Sequence, residues 1–215
     1  MSGGHHHDHD HTHDHAHDAI HAHEPRPEYA RLERAVRELL IAKGLLTAND
    51  IRKQIERLDS RGTEAGAKIV ARAWVDPAFK KRLLADAKKA AEEFGVDTSN
   101  SATVVALENT RERHHVVVCT LCSCYPKAIL GTPPAWYKSS AYRARTVKEP
   151  RKVLAEFGTV LPDDVEIRVV DSTADMRYLV VPMRPAGTEG WSEERLAKLV
   201  GRDCMIGVAQ AAAPG

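Results

Sequence analysis

Three cysteines within six residues, Cys119, Cys122 and Cys124, constrain this chain more than any other feature. They follow the β-branched run Val116-Val117-Val118 and end at Tyr125-Pro126, while the fourth cysteine, Cys204, lies far downstream. A disulfide framework spreads its cysteines, because loop closure is where its stabilisation arises. Clustered thiols in an intracellular chain are more often metal ligands or redox groups. The Cys-x-x-Cys-x-Cys spacing on a short loop brings three sulfurs to one small volume. Tetrahedral zinc wants four ligands, usually from two knuckles, and no second knuckle exists here. An iron–sulfur cluster meets the same shortage of a matched fourth thiolate. A redox relay is a further thiol reading. The remaining option uses the backbone: the peptide nitrogens of Ser123 and Cys124, once deprotonated, add two anionic donors between the sulfurs. Three sulfurs and two nitrogens fill five positions of an octahedron and leave one open. Such donors favour a low-spin trivalent metal, and an open position is what a Lewis-acid catalyst needs. Spacing permits this geometry and does not by itself select it.

The rest of the chain has the material for a core. It is 215 residues long, 43% hydrophobic and 28% charged, which suits one domain, or one domain carrying an arm. The net charge of +1 conceals a segregation, since residues 1–25 hold no Lys or Arg and five acids. The positive excess of the remainder is mild and scattered, so no nucleic-acid partner is expected. No apolar run approaches the roughly 18 residues of a membrane span. No basic region followed by an apolar run marks a secretory signal, so a cytoplasmic protein is expected. Residues 1–24 contain ten of the twelve histidines, alternating with Asp. They have almost nothing to bury and should be disordered. An uninterrupted cloning tag does not fit this alternation. A loose chelating tail or a plain solvated one does, and neither places a catalytic site there.

From Glu28 the pattern turns helical, with Leu32, Val36, Leu39 and Leu40 at helix spacing and Gly44 as the stop. Thr47 caps a second helix with Asp50 three residues on, and Gly62 breaks it. A third segment runs from Glu64 to Trp74. Asp76-Pro77 then reads as an N-cap with proline in the first turn, opening a helix that ends near Gly95. Beyond it the character changes. Thr103–Leu107, His115–Val118, Val165–Val170 and Tyr178–Val181 read as strands. A helix from Pro150 to Phe157 separates the pairs, and another runs from Ser192 to Val200. The fold class is therefore α+β. The expected organisation is a His/Asp-rich tail (1–27), a helical arm (28–62), a globular domain (63–210) and a short C-terminal tail (211–215).

The loop Val117-Val118-Cys119-Thr120-Leu121-Cys122-Ser123-Cys124-Tyr125-Pro126 resembles the metal-binding claw of the nitrile hydratase alpha-subunit family. That family includes the related gamma subunit of thiocyanate hydrolase. Val70 to Pro77, Leu130-Gly131-Thr132-Pro133-Pro134 with Trp136-Tyr137, Tyr142 to Arg145, Arg184 to Thr188, Gly190 to Glu194 and Met205 to Val208 also resemble it. The likeness spans about residues 30–208. It implies a layered α-β-β-α domain carrying the claw, and one Co(3+) per chain held by Cys119, Cys122, Ser123 and Cys124. Cys119 would be the unmodified thiolate, Cys122 the sulfinic acid and Cys124 the sulfenic acid, the last two being catalytic. Thr120 and Tyr125 resemble the cobalt branch rather than the iron branch. The implied partners are a beta subunit, or two separate chains in its place, supplying arginines to the oxidised sulfurs, and an activator that loads cobalt. The implied reaction hydrates a small nitrile to its amide. Asp175-Met176-Arg177 stands where the family tends to have Glu-Met-Arg, which makes Arg177 a donor behind the sulfurs and Asp175 its orienting partner.

Other positions depart from ordinary two-chain nitrile hydratases. Lys127 replaces a common tryptophan after the proline, and thiocyanate hydrolases carry a basic residue there. Arg202-Asp203-Cys204 also resembles them, whereas Leu107-Glu108-Asn109-Thr110 resembles nitrile hydratase. Val170 replaces another common tryptophan. The alternative activity is accordingly hydrolysis of thiocyanate to carbonyl sulfide and ammonia. A non-catalytic metal-storage or structural-zinc protein is the third class. Lys127 and Trp136 are the candidate pocket residues. His114, His115, Trp74 and Trp191 read as packing groups, and Cys204 as a small buried hydrophobe.

Overall fold

The computed structural model describes residues 27–52 and 62–214. The His/Asp-rich tail and most of the second arm helix lie outside the described residues. Helix α1 (Pro27–Ala42) ends at Gly44, whose φ of 68° needs a residue without a side chain. Thr47 and Asp50 then form a reciprocal cap. Thr47 N donates to Asp50 Oδ2 at 3.0 Å and Asp50 N to Thr47 Oγ1 at 3.1 Å. Leu32, Val36 and Leu39 form the apolar stripe of α1, and all three are exposed.

The globular part opens with α2 (Glu64–Val75), which buries Ile69, Val70 and Ala73. Asp76 caps α3 (Pro77–Ala85) by accepting from Phe79 N at 2.9 Å, with proline in the first turn. The sequence suggests one helix from here to Gly95, and the structure corrects that. Asp86 breaks it by adopting an extended conformation and capping α4 (Ala87–Glu92) through Lys89 N. The carboxylate competes with the helix for backbone N–H groups and wins. The break lets α4 lay Ala87, Ala90 and Ala91 into the core.

Four strands follow: β1 (Thr103–Glu108), β2 (Arg113–Val118), β3 (Glu166–Asp171) and β4 (Met176–Val181). β1 pairs in parallel with β4, and β2 with β3, as two separate two-stranded sheets. Parallel pairing requires long crossovers. The one between β2 and β3 holds α5 (Lys127–Leu130), α6 (Ala135–Lys138), α7 (Ser140–Lys148) and α8 (Pro150–Glu156). Near the C-terminus lie α9 (Glu193–Ala197), shorter than the sequence suggests, and α10 (Arg202–Ile206). The two sheets pack on each other, with α3 and α4 against β1, α7 against β2 and α8 against β3. This is the layered α-β-β-α arrangement. Val116 to Val118 and Leu179 to Val181 are buried between the layers. The register sets β2 and β3 to end together, Val118 opposite Asp171, and β1 and β4 to begin together, Thr103 opposite Met176. The cysteine loop leaves the end of β2 and faces the start of β1 and β4.

Candidate metal centre

Cys119 continues directly from β2, so it inherits the core position of the strand and is fully buried. Two residues of turn bring Cys122 to the surface, and Cys124 returns half-buried. The three sulfurs lie within 4.8 Å of one another. Cys119 Sγ to Cys122 Sγ is 3.3 Å and Cys122 Sγ to Cys124 Sγ is 3.1 Å. Both exceed the ~2.05 Å of a disulfide, so these are free thiols gathered at one point. The contacts from Cys124 and Cys119 pull the Cys122 thiol below its ordinary pKa. The peptide N–H groups of Ser123 and Cys124 also lie against the Cys122 sulfur and act in the same direction. Burial, then the Cys122 sulfur, push Cys124 up to about 12. Of these two thiols, Cys122 is thus the readier to lose its proton.

The sulfur spacing tests what the loop can hold. With a metal–thiolate bond of about 2.3 Å, adjacent ligands sit ~3.3 Å apart in an octahedron and ~3.8 Å apart in a tetrahedron. The two edges of 3.1 and 3.3 Å lie nearer the octahedral value. Cys204 does not complete a tetrahedral set, because its thiol donates to Gly201 O at 3.0 Å on α10. Among the described residues, these three cysteines are the one cluster of three or more potential metal ligands. The donor set therefore fits a metal held through three sulfurs, and among the described residues no fourth side-chain ligand joins them to complete a tetrahedral zinc site.

Neighbouring elements fix the loop from several sides. At the joint end of β2 and β3, Asp171 accepts from Thr120 N at 3.0 Å and Thr120 Oγ1 at 2.5 Å. Ser172 N donates to Val118 O at 2.7 Å. Arg143 on α7 donates to Thr120 O at 3.3 Å. Sequence reading misses Asp171 and Arg143, since only the strand register and the α7 packing bring them to the claw.

Cys122 and Cys124 form part of the wall of a cleft of about 380 Å³, with Cys119 buried behind them. Cys122, Ser123, Cys124, Lys127 and Arg177 all line it, and its lining contains no acid. Arg177 is the second residue of β4, opposite Val104. Its guanidinium donates to the carbonyls of Thr173 and Met176 and acts electrostatically on Cys124, lowering that thiol's pKa against the burial effect. Asp175 is exposed, and its carbonyl accepts from Thr103 N. The structure thus brings Lys127 and Arg177 to the sulfurs. Trp136 stands elsewhere, packed edge-on against Tyr142 at 4.9 Å and Phe157 at 4.8 Å.

The match to known proteins covers nearly all of this architecture. The model of the family described as nitrile hydratase, alpha chain, matches residues 27–209. The chain belongs to the nitrile hydratase alpha-chain family. It is 53% identical over 188 residues to the low-molecular weight cobalt-containing nitrile hydratase subunit alpha of Rhodococcus rhodochrous, covering 87% of this chain and 91% of that one. It is 47% identical over 193 residues to the thiocyanate hydrolase subunit gamma of Thiobacillus thioparus, covering 85% of this chain and 79% of that one. Among solved structures, a double mutant of the Fe-type nitrile hydratase from Comamonas testosteroni Ni1 superposes with a TM-score of 0.82. The two are 43% identical, and the match covers 89% of this chain and 94% of that one. The cysteine loop lies inside all the matched territory of the nitrile hydratase model, so the sulfur triangle is a feature of the matched domain and not an insertion in it.

The paired histidines of this nitrile hydratase-type chain are held as packing groups. His114 Nε2 donates to Gly207 O at 2.7 Å, which leaves Nδ1 to accept from Asn109 Nδ2 at 3.1 Å. His115 N and Nδ1 both donate to Asn109 Oδ1, at 2.8 and 3.1 Å. Burial lowers both imidazole pKa values. Among the described residues no helix is long and apolar enough to cross a membrane.

Proposed function

We propose that this chain is the metal-bearing subunit of a cytoplasmic cobalt nitrile hydratase, converting a nitrile to its amide. The observation that carries this reading is the cluster of three free cysteine sulfurs on one short loop, two of them on the wall of a cleft. The group held there is one Co(3+) per chain, bound by Cys119, Cys122 and Cys124 through sulfur and by Ser123 and Cys124 through main-chain nitrogen. When bound, it supplies Lewis-acid charge stabilisation at an open position. Cys122 is the sulfinic acid and Cys124 the sulfenic acid, consistent with their greater exposure than Cys119. The Cys124 sulfenate oxygen supplies nucleophilicity toward the nitrile carbon, directly or by taking a proton from the attacking water. Water adds across the triple bond, and the nitrogen ends as the amide. Arg177 holds negative charge near Cys124.

Residues 63–210 form the catalytic domain in this reading, and 28–62 an arm that packs on the partner. A beta subunit, as one chain or two, supplies arginines to the oxidised sulfurs from the open side. A separate activator loads the cobalt. Asp175 and Trp136 act at a distance if at all, given their places outside the cleft lining. A second reading, thiocyanate hydrolysis, is favoured by one observation: Lys127 and Arg177 make the cleft cationic, which suits an anion.

The test is a co-expressed complex given acrylonitrile and thiocyanate. Amide formation, one cobalt per chain and claw-peptide mass gains of one and two oxygens are expected. Carbonyl sulfide with no amide from any nitrile would select the second reading. Cys122→Ala should abolish both cobalt retention and turnover; a Cys122→Ala complex that keeps both would sink the metal-centre assignment.

A further inference from the structure

Two phenols grip the main chain at the two ends of the cysteine loop. Tyr142, on α7, donates to the Val117 carbonyl oxygen at 2.7 Å, just before Cys119. Tyr137, on α6, donates to the Cys124 carbonyl oxygen at 2.8 Å, at the third cysteine itself. Both tyrosines have zero solvent exposure. Both hydroxyls donate to main-chain carbonyls and not to a sulfur, so each bond fixes the orientation of a peptide unit. Holding the Cys124 carbonyl fixes rotation about that residue's Cα–C bond. The Cβ that carries the sulfur leaves the same Cα, so the base from which the sulfur projects is held with it.

The rings have little freedom to swing. Tyr137 packs edge-on against Tyr125 at 5.2 Å and Trp136 at 6.0 Å. Tyr142 packs against Trp136 at 4.9 Å and Phe157 at 6.1 Å. An interior packed to crystal density moves such a ring only at the cost of its neighbours' contacts. Burial also pushes both phenol pKa values upward, so both stay O–H donors at any working pH. Trp136 therefore has a place in the centre without lining the cleft, because it wedges both tyrosines.

Bringing three sulfurs together is unfavourable once they ionise, since like charges at ~3 Å repel. A loop that had to be ordered at the moment of metal binding would lose affinity by that ordering cost. We propose that Tyr137 and Tyr142 are positioning residues that preset the claw, holding its exit and entry so that the metal meets a ligand set already formed. This rests on the metal-centre reading above.

The co-expressed wild-type complex is compared with its Tyr137→Phe and Tyr142→Phe counterparts, each lacking one hydroxyl and keeping the ring. The readouts are cobalt retained against EDTA, the sulfur-to-metal charge-transfer absorption, and oxygen mass on the claw peptide. Loss of a group that orients metal ligands costs roughly 10–100-fold in metal affinity. Y137F should lose cobalt to the chelator about that much faster, with a shifted absorption band. Y142F, which acts two residues before the first sulfur, should show a smaller change in the same direction. A purely structural role would lower the Tm of Y137F and leave band and chelator rate at wild-type values, and that result overturns the proposal. Absence of cobalt and of the band from the wild type as well would overturn the metal-centre reading, and this proposal with it. A measurement on wild type alone covers variants that do not fold. Structures of the metal-free and loaded complexes should superpose over residues 117–125 within about 0.5 Å. A loop rebuilt on loading overturns the presetting role.

Discussion

Asp171 gives both carboxylate oxygens to one residue of the claw, the amide and the hydroxyl of Thr120. Thr120 is the first residue of the turn after the buried Cys119, so this pair sets the direction in which the loop leaves β2. Asp171→Ala should therefore lower cobalt occupancy and turnover by roughly 10–100-fold while the domain stays folded. Metal analysis beside a thermal melt checks this, and full occupancy in the variant would contradict it. His114 belongs to another part of the core and has a different consequence. Its burial lowers its pKa, so as pH falls the unfolded chain takes up the proton first. Its contribution to stability is then complete above the ordinary value of 6.5 and is lost as pH falls from there through the lower folded-state value. Tm should fall as pH drops below about 6.5, and His114→Gln should flatten that slope. An unchanged slope in the variant would place the titration on other groups.

Gly207 ends α10 with φ of 86°, and a side chain there would overlap the carbonyl oxygen of His115 on β2. Helix and strand touch backbone to backbone at this point, and the His114 ring bonds the Gly207 carbonyl across the same contact. Gly207→Ala should cost about 2–5 kcal/mol through the left-handed backbone and the overlap together. Chemical denaturation of the complex measures it, and a loss below ~1 kcal/mol would mean the strand can yield. Such contacts mark the limit of what the chain reveals before folding. The strands were legible because Val, Ile and Leu runs alternate with turn residues, and α1, α2 and α3 because their apolar residues recur over several turns. Helices α5, α6 and α10 have only four or five residues, too few for any period to emerge. The break at Asp86 was hidden because an Asp within a helical pattern reads as a surface residue until its carboxylate caps the next turn. In the site, the sulfurs announced themselves by local spacing. Lys127 sits three residues beyond them and was equally accessible. Asp171, Arg143, Tyr137 and Tyr142 reach the loop through strand register and helix packing, and nothing in the spacing of residues 13 to 51 positions apart encodes that meeting.

At the scale of the molecule, the centre is open on one side and the arm is uncovered on another. Cys122 faces solvent, and the cleft beside it is cationic. Along α1, Leu32, Val36 and Leu39 are 58%, 47% and 54% exposed, and with Leu40, Leu46 and Ile51 some of them wall an apolar groove. A contiguous apolar stripe in water is a recognition surface or an aggregation hazard. Charged residues on the opposite face of α1 keep it amphipathic, so its apolar side suits a second chain rather than the domain that already has a complete core. If the arm fastens the partner subunit, a charge in the middle of the stripe should release that partner without disturbing the domain. Leu39→Asp should change the stability of the isolated chain by less than about 0.5 kcal/mol, as substitutions at exposed positions do. In the co-expressed complex it should remove the partner from the purified material and lower the cobalt retained by the claw. Size-exclusion chromatography and cobalt analysis on the same sample read both effects. Retention of the partner at wild-type stoichiometry would show that assembly depends on the cleft face alone and that the arm has another occupant.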